Sequence, residues 1–252
     1  MLTGGTTLKA DSTDVAFTGW EAQSIAWTAG AKSSWLTITT PTGSGGGKLR
    51  WTRSAASLAP GEYVDTISVT AAAAGTPLRF IDTLRVYPPL VIASPADRPP
   101  AVMGASYTDD LQSEGGPEGQ RAWTLVAGAL PAGLTLDASS GRIAGIAETG
   151  GGGVFGFTVR VASGDEAAER DFTMTVTKPT LERTAVLDDL LGGAALATDH
   201  RRFLDLLGNR NGRVDVGDVR AWLLDTEGAT AAAELPRRLR ERAKELKEMR
   251  KQ

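Results

Sequence analysis

From Val15 to Val86 the chain alternates apolar and polar residues in short steps, as in SIAWTAG, SSWLTITT, GKLRWTR, YVDTISVT and FIDTLRVY. A period of two sends successive side chains to opposite faces of a strand, and the glycine, proline and serine breaks fall at the spacing of an antiparallel sandwich. The same texture returns from Ala101 to Val176 in RAWTLVAG, GLTLDASSGRIAGI, VFGFTVRVAS and RDFTMTVT. Between the two blocks, YPPLVIASPADRPP (87–100) holds five prolines. Proline stiffens the chain and cannot donate to a ladder, so this stretch is predicted to connect two domains. After TKPT the period lengthens, and LERTAVLDDLL, DHRRFLDLL and VGDVRAWLLD place apolar residues at helical spacing. The last segment, ELPRRLRERAKELKEMRKQ, carries only a thin apolar stripe of Leu235, Leu239, Ala243 and Leu246. The pattern therefore predicts a mainly β chain: sandwiches over 1–88 and 89–178, a small helical module over 179–228, and a basic helical tail over 229–252.

Composition narrows the chemistry. A formal net charge of -3 supplies no basic face for nucleic acid. The chain has no cysteine, which removes disulfides, thiolate nucleophiles and cysteine-ligated metals together. No window approaches the roughly 20 apolar residues that a membrane span requires. The opening LTGGTTLKADSTD lacks the basic start and apolar run of a signal peptide. If the protein is secreted, its targeting signal is expected upstream, with this chain a fragment of something larger.

The residues of the first block are arranged as in a known family. Trp35-Leu36, the turn PTGSGGG, KLRW, LAPGEY (Leu58 to Tyr63) and DTISVT resemble the bacterial BACON-type immunoglobulin-like modules. In the second block, WTLVAGALPAGLTLDASSGRIAG (Trp123 to Gly145) resembles the immunoglobulin-like domains of bacterial surface proteins, related in fold to cadherin modules. Both resemblances rest on turn and packing residues rather than on chemistry. In the third block, FLDLLGNRNGRVDVGDVRAWL (Phe203 to Leu223) resembles a degenerate dockerin or EF-hand-like module. An EF-hand loop offers oxygen at positions 1, 3, 5, 7, 9 and 12, with glycine at 6. Counted from Leu207, the resemblance implies a weak calcium site made by Asn209, Asn211, the carbonyl of Arg213, Asp215 and Asp218, with Gly212 at the turn. Leu207 removes the first carboxylate, and only two formal negative charges remain. The same loop also reads as a metal-free helix corner, with Asn209 and Asn211 bonded to the backbone and Asp215 or Asp218 capping the next helix. A true dockerin repeats its loop. The nearest second copy, DDLLGGAALATD (188–199), has leucine and glycine at the third and fifth positions, which argues against cohesin docking.

Other chemistry is sparse. The single histidine, His200, sits beside Asp199 at a predicted helix start, so histidine-based triads and histidine-ligated zinc mostly fall away. GSGGGK (43–48) lacks the first glycine and the Ser/Thr of a phosphate loop, and reads as a hairpin. The adjacent pairs Asp109-Asp110 and Asp188-Asp189 need not converge on one substrate. Of the six tryptophans, Trp35, Trp123 and Trp222 fall on core positions, whereas Trp20, Trp27 and Trp51 are candidates for a sugar-binding platform. The tail carries eight Lys/Arg against four Glu from Glu234 onward. It is expected either to be solvated or to make a short coiled-coil or anionic-surface contact.

The expected function is that of a non-catalytic extracellular accessory region for spacing, adhesion and docking, with a cell-surface protein or polysaccharide as partner. Two alternatives accompany it: C-terminal auxiliary modules of a secreted hydrolase, a protease or glycoside hydrolase, and a carbohydrate-binding module.

Overall fold

A computed structural model describes residues 2–3, 9–18, 24–72, 75–148 and 152–251. The chain is mainly β, with its helices at the C-terminal end. It divides into two compact units, the first built from 1–91 with 114–119 and 163–167, the second from 92–113, 120–162 and 168–252.

In the first unit the strands are β1 (Leu2–Thr3), β2 (Lys9–Val15), β3 (Ala26–Gly30), β4 (Leu36–Ile38), β5 (Thr42–Ser44), β6 (Gly47–Arg53), β7 (Gly61–Ala71) and β8 (Leu78–Tyr87). They form a sheet of order β1-β8-β7-β3-β5 and a second of order β2-β6-β4. The alternation seen in the sequence has a direct structural cause. On β7, Ile67, Val69 and Ala71 turn inward while Thr66 and Thr70 stay exposed. Trp27, Trp35 and Trp51 join Leu49, Ile67 and Leu84 in one core. Gly43 is required beside it, because a Cβ there would lie 2.1 Å from the Trp27 ring. Tyr63, the last residue of LAPGEY, donates its hydroxyl to the Ala59 carbonyl at 2.8 Å and pins the corner leading into β7. Asp65 is buried, but its carboxylate accepts the backbone N–H groups of Lys32 and Ser33 at 2.9 and 2.7 Å. Burial pushes that carboxyl up, yet the N–H groups of Ser33, Thr66 and Lys32 outweigh it and hold the group below its ordinary value.

The second sandwich uses β9 (Val91–Ile92), β10 (Asp97–Val102), β11 (Ser106–Asp110), β12 (Ser113–Glu114), β13 (Ala122–Gly128), β14 (Leu134–Leu136), β15 (Arg142–Ile146), β16 (Gly153–Ser163) and β17 (Glu166–Thr177). Its main sheets run β10-β17-β16-β13 and β11-β15-β14. The proline-rich stretch is thus more than a connector. Its second half is strand β10, where Pro99 and Pro100 sit at an edge and the register with β17 slips between Arg98 and Ala101. An edge strand tolerates proline because its outer N–H groups have no ladder partner to lose. The DASSG turn is held by Asp137, whose Oδ1 accepts from both the backbone and the hydroxyl of Ser139 and Ser140. Gly141 follows with φ of 74°, and a Cβ there would lie 2.6 Å from Trp123.

The second unit also holds α1 (Arg183–Leu190), α2 (Thr198–Leu207), α3 (Val216–Thr226), α4 (Ala229–Ala233) and α5 (Leu235–Met249). Phe203, Leu204, Val219, Trp222, Leu223 and Leu235 are fully enclosed. The basic C-terminal segment is not a free tail. Leu239, Ala243 and Leu246 of α5 are half-buried, and Arg242 grips Asp188 of α1 through two hydrogen bonds of 2.6 and 2.7 Å. A long-range bidentate ion pair supplies the docking that the thin apolar stripe alone did not promise.

The helical segment also packs on the second sandwich. Gly104, with φ of 80°, lies so close to α2 that a Cβ would stand 2.5 Å from the Asp199 carbonyl oxygen and 2.7 Å from the Phe203 nitrogen. Arg202 donates to the Gly104 carbonyl at 2.7 Å, and Lys178 pairs with Asp225 at 2.7 Å.

Candidate functional site

Asn209, Asn211, Arg213 and Asp215 lie in the loop between α2 and α3 and Asp218 in the first turn of α3, and local hydrogen bonds join Asn209, Asn211, Asp215 and Asp218. Asp215 is the N-cap of α3, and its Oδ1 accepts from Gly217 and Asp218 nitrogens at 2.7 and 3.3 Å. Asp218 reciprocates by accepting the Asp215 N–H at 2.9 Å, which completes a capping box. The other Asp218 oxygen takes the Asn209 N–H at 3.0 Å, and the residue is fully enclosed. Gly208 permits this approach, since a Cβ there would fall 1.9 Å from the Asp218 carboxylate. Asn209 and Asn211 each accept a backbone N–H two residues on, from Asn211 at 3.1 Å and from Arg213 at 2.9 Å. Gly212 adopts φ of 82°, and its N–H goes to Asp205 at 2.9 Å.

The amide nitrogens of Asn209 and Asn211 both point at Asp215 Oδ2, at 2.8 and 3.1 Å. Two N–H dipoles thus stand where an EF-hand would present oxygens to a cation. The Asn209 amide, followed by the Gly217 and Asp218 N–H groups and the Asn211 amide, holds the Asp215 carboxyl below its ordinary value. A hard divalent ion prefers several carboxylate oxygens. Here both Asp218 oxygens are committed to backbone, one Asp205 oxygen takes the Gly212 N–H, and the two amides face Asp215 with their nitrogens. In this arrangement the donor set does not fit calcium without rotation of both asparagine amides. Among the described residues, no group of three or more His, Cys, Asp or Glu could hold a metal ion.

The other candidates disperse. Asp109 and Asp110, adjacent on β11, pair with different arginines: Asp109 with Arg98 at 2.5 and 2.7 Å, Asp110 with Arg142 at 2.7 and 3.0 Å. Asp188 holds Arg242, and Asp189 accepts the Leu196 N–H at 3.0 Å. The proposed sugar platform requires correction. Trp27 and Trp51 are only 3% and 5% exposed, because both turn inward from their sheets, and Trp20 lies outside the described residues. Trp35, Trp123 and Trp222 are buried as well.

Acid should loosen the helical segment. The Arg242 hydrogen bonds hold Asp188 below the ordinary carboxyl value, and Asp215 is lowered by its own partners. A depressed folded value stabilises above the unfolded carboxyl pKa of about 3.9 and is lost as pH falls through the lower folded value. Thermal melts from pH 5 down to pH 2 are therefore expected to show a falling midpoint below about pH 4. Asp188→Asn should flatten that fall, and an equally steep acid response in the variant would contradict this origin.

The family described as "Putative Ig domain" matches residues 84–177, which span the second sandwich. No curated protein sequence matches the chain. Among solved structures, the chain is similar to Sidekick-1 immunoglobulin domains 1-5, with 14% identity, a TM-score of 0.37, and coverage of 70% of this chain and 37% of that one. It is similar to the titin I-band fragment I67-I69, with 14% identity, a TM-score of 0.34, and coverage of 71% and 62%. It is also similar to an endo-fucoidan hydrolase from glycoside hydrolase family 107, with 18% identity, a TM-score of 0.33, and coverage of 71% and 28%. The chain spans less than two thirds of each of these structures. Among the described residues no helix is long and apolar enough to cross a membrane. The family match and the strand order together define an immunoglobulin-like module over residues 84–177.

Proposed function

We propose that the chain is a non-catalytic accessory region of a secreted bacterial protein, which spaces and displays neighbouring modules and adheres to a cell-surface protein or polysaccharide. The observation that carries this reading is the use of its carboxylates. The pairs that adjacency suggested for acid–base work are divided among Arg98, Arg142, Arg242 and the Leu196 N–H, so they hold strands and helices together instead of facing a shared cleft. Trp27, Trp35 and Trp51 of the first sandwich and Trp123, Phe157 and Phe172 of the second are buried, which suits spacing better than catalysis.

The loop from Asn209 to Asp218 enters this reading as a metal-free corner that sets the angle between α2 and α3. Its hydrogen bonds close without a cation. Calcium is the competing reading. It draws on the positions of Asp215 and Asp218 at the start of α3, and it would require the Asn209 and Asn211 amides to turn over.

The test is to incubate the purified chain with immobilised bacterial cell-wall polysaccharide and surface glycoprotein, while assaying chromogenic glycosides and casein for hydrolysis. Retention without turnover is the expected result. Turnover that persists through repurification would overturn the non-catalytic reading.

A further inference from the structure

The corner has a second face of opposite character. Thr198, Arg201, Arg202 and Asp205 recur at i, i+3, i+4 and i+7, which places them on one side of α2. Arg213 and Val214 of the loop close the other wall, and between them lies a cleft of about 500 Å³. It presents three guanidinium groups and one carboxylate.

Those cations are only partly spent. Arg202 gives one N–H to the Gly104 carbonyl. Arg201, half exposed, makes an ion pair with Asp189 at 3.6 Å, beyond hydrogen-bond reach, and that buried Asp189 oxygen has no hydrogen-bond partner. The Arg213 side chain makes no ion pair or hydrogen bond among the described residues. Guanidinium forks match planar oxyanions, and several in one concave site raise the local concentration of anions. The cleft also holds the Thr198 hydroxyl and the Asp205 carboxylate, which accept hydrogen bonds from a ligand's O–H groups. Val214 is its single sizeable apolar wall. A ligand that carries an anion next to hydroxyl donors satisfies this set.

We infer that the cleft binds a sugar acid, a carboxylate-bearing residue of an acidic polysaccharide, with Arg201, Arg202 and Arg213 on its carboxylate and Asp205 and Thr198 on its hydroxyls. This rests on the accessory reading and names the chemistry of its partner. The cleft is distinct from the calcium expectation: it uses the side chain of Arg213, not its carbonyl, and selects the opposite charge.

The experiment is calorimetric titration of the whole chain with an oligogalacturonate at low salt, alongside a neutral oligogalactoside of equal length and a poly-glutamate peptide. Saturable binding of the oligogalacturonate alone is expected, weakening with salt. Arg213→Ala and Arg201→Ala should each weaken it about tenfold, with circular dichroism unchanged. Arg220→Ala, on exposed α3 surface away from the cleft lining, should leave it intact. No binding, equal binding of the neutral sugar, or unchanged affinity in Arg213→Ala would overturn the site. Equal or tighter binding of poly-glutamate would overturn the sugar-acid class in favour of an acidic peptide. Failure here leaves hydrolysis undetected and the accessory reading standing, whereas turnover of a substrate would remove that reading whatever the titration shows.

Discussion

Asp218→Ala is expected to destabilise the second unit by about 2–4 kcal/mol, a fall in melting midpoint of about 5–15 °C. Asp218 is fully enclosed and accepts from two separate stretches of backbone, Asn209 before the turn and Asp215 after it. Loss of an N-cap partner alone costs about 1 kcal/mol. Each N–H left without an acceptor in a partly buried place adds about 1–3 kcal/mol. Asp218→Asn keeps one acceptor oxygen but turns an N–H2 group toward the second donor, so its loss should be intermediate. The measurement is a thermal melt of wild type and both variants, in calcium and in chelator. If the corner is metal-free, the ranking and the size of the losses are the same in both solutions. A wild-type midpoint that rises in calcium while that of Asp218→Ala does not would establish the loop as a cation site and discard the metal-free reading.

Gly104→Val is expected to separate the helical segment from the second sandwich, at a cost of at least about 3 kcal/mol. The strain has two sources. At φ of 80° a β-branched side chain is disfavoured by its own backbone. Its Cβ would also meet the Asp199 carbonyl and the Phe203 nitrogen, backbone atoms that cannot swing aside. Relief requires α2 to lift, which breaks the bond from Arg202 to the Gly104 carbonyl. Limited proteolysis near the Lys178–Glu182 link should then become much faster, and the melt of the second unit should broaden or split. Lys178→Ala serves as the comparison. It removes a partly exposed ion pair with Asp225, which is worth at most about 1 kcal/mol. A Gly104→Val chain that melts and resists proteolysis like wild type would refute this account of the packing.

Much of the architecture was legible because it depends on local periodicity. Alternation along GEYVDTISVTA is the alternation of burial on β7, and Gly141 in DASSG is glycine because Trp123 and a positive φ leave no other choice. A cap from Asp215 or Asp218 was legible, since both stand at the start of α3, and the structure uses the two together as a capping box. Other features were not. Trp27 and Trp51 read as uncommitted because the side of a strand that faces the opposite sheet is set by pairing, not by the residue. The prolines of 87–100 suggested a linker, and only the edge position of β10 shows how a strand can contain them. The tail looked too weakly apolar to dock, because its partner, Asp188, lies 54 residues away.

By itself the sequence determined the succession of two strand-rich blocks and a helical one, the main turns, and the lack of any cysteine. These follow from side-chain spacing and residue identity, which act over a few residues. Tertiary structure decided that Trp27 and Trp51 are enclosed, which arginine serves Asp109, Asp110 and Asp188, that both loop amides point their nitrogens at Asp215, and that Arg213 lines one cleft with Arg201 and Arg202. Those outcomes depend on contacts between segments far apart in the chain, where the sum of packing and hydrogen bonding over the whole unit, rather than any local preference, selects the arrangement.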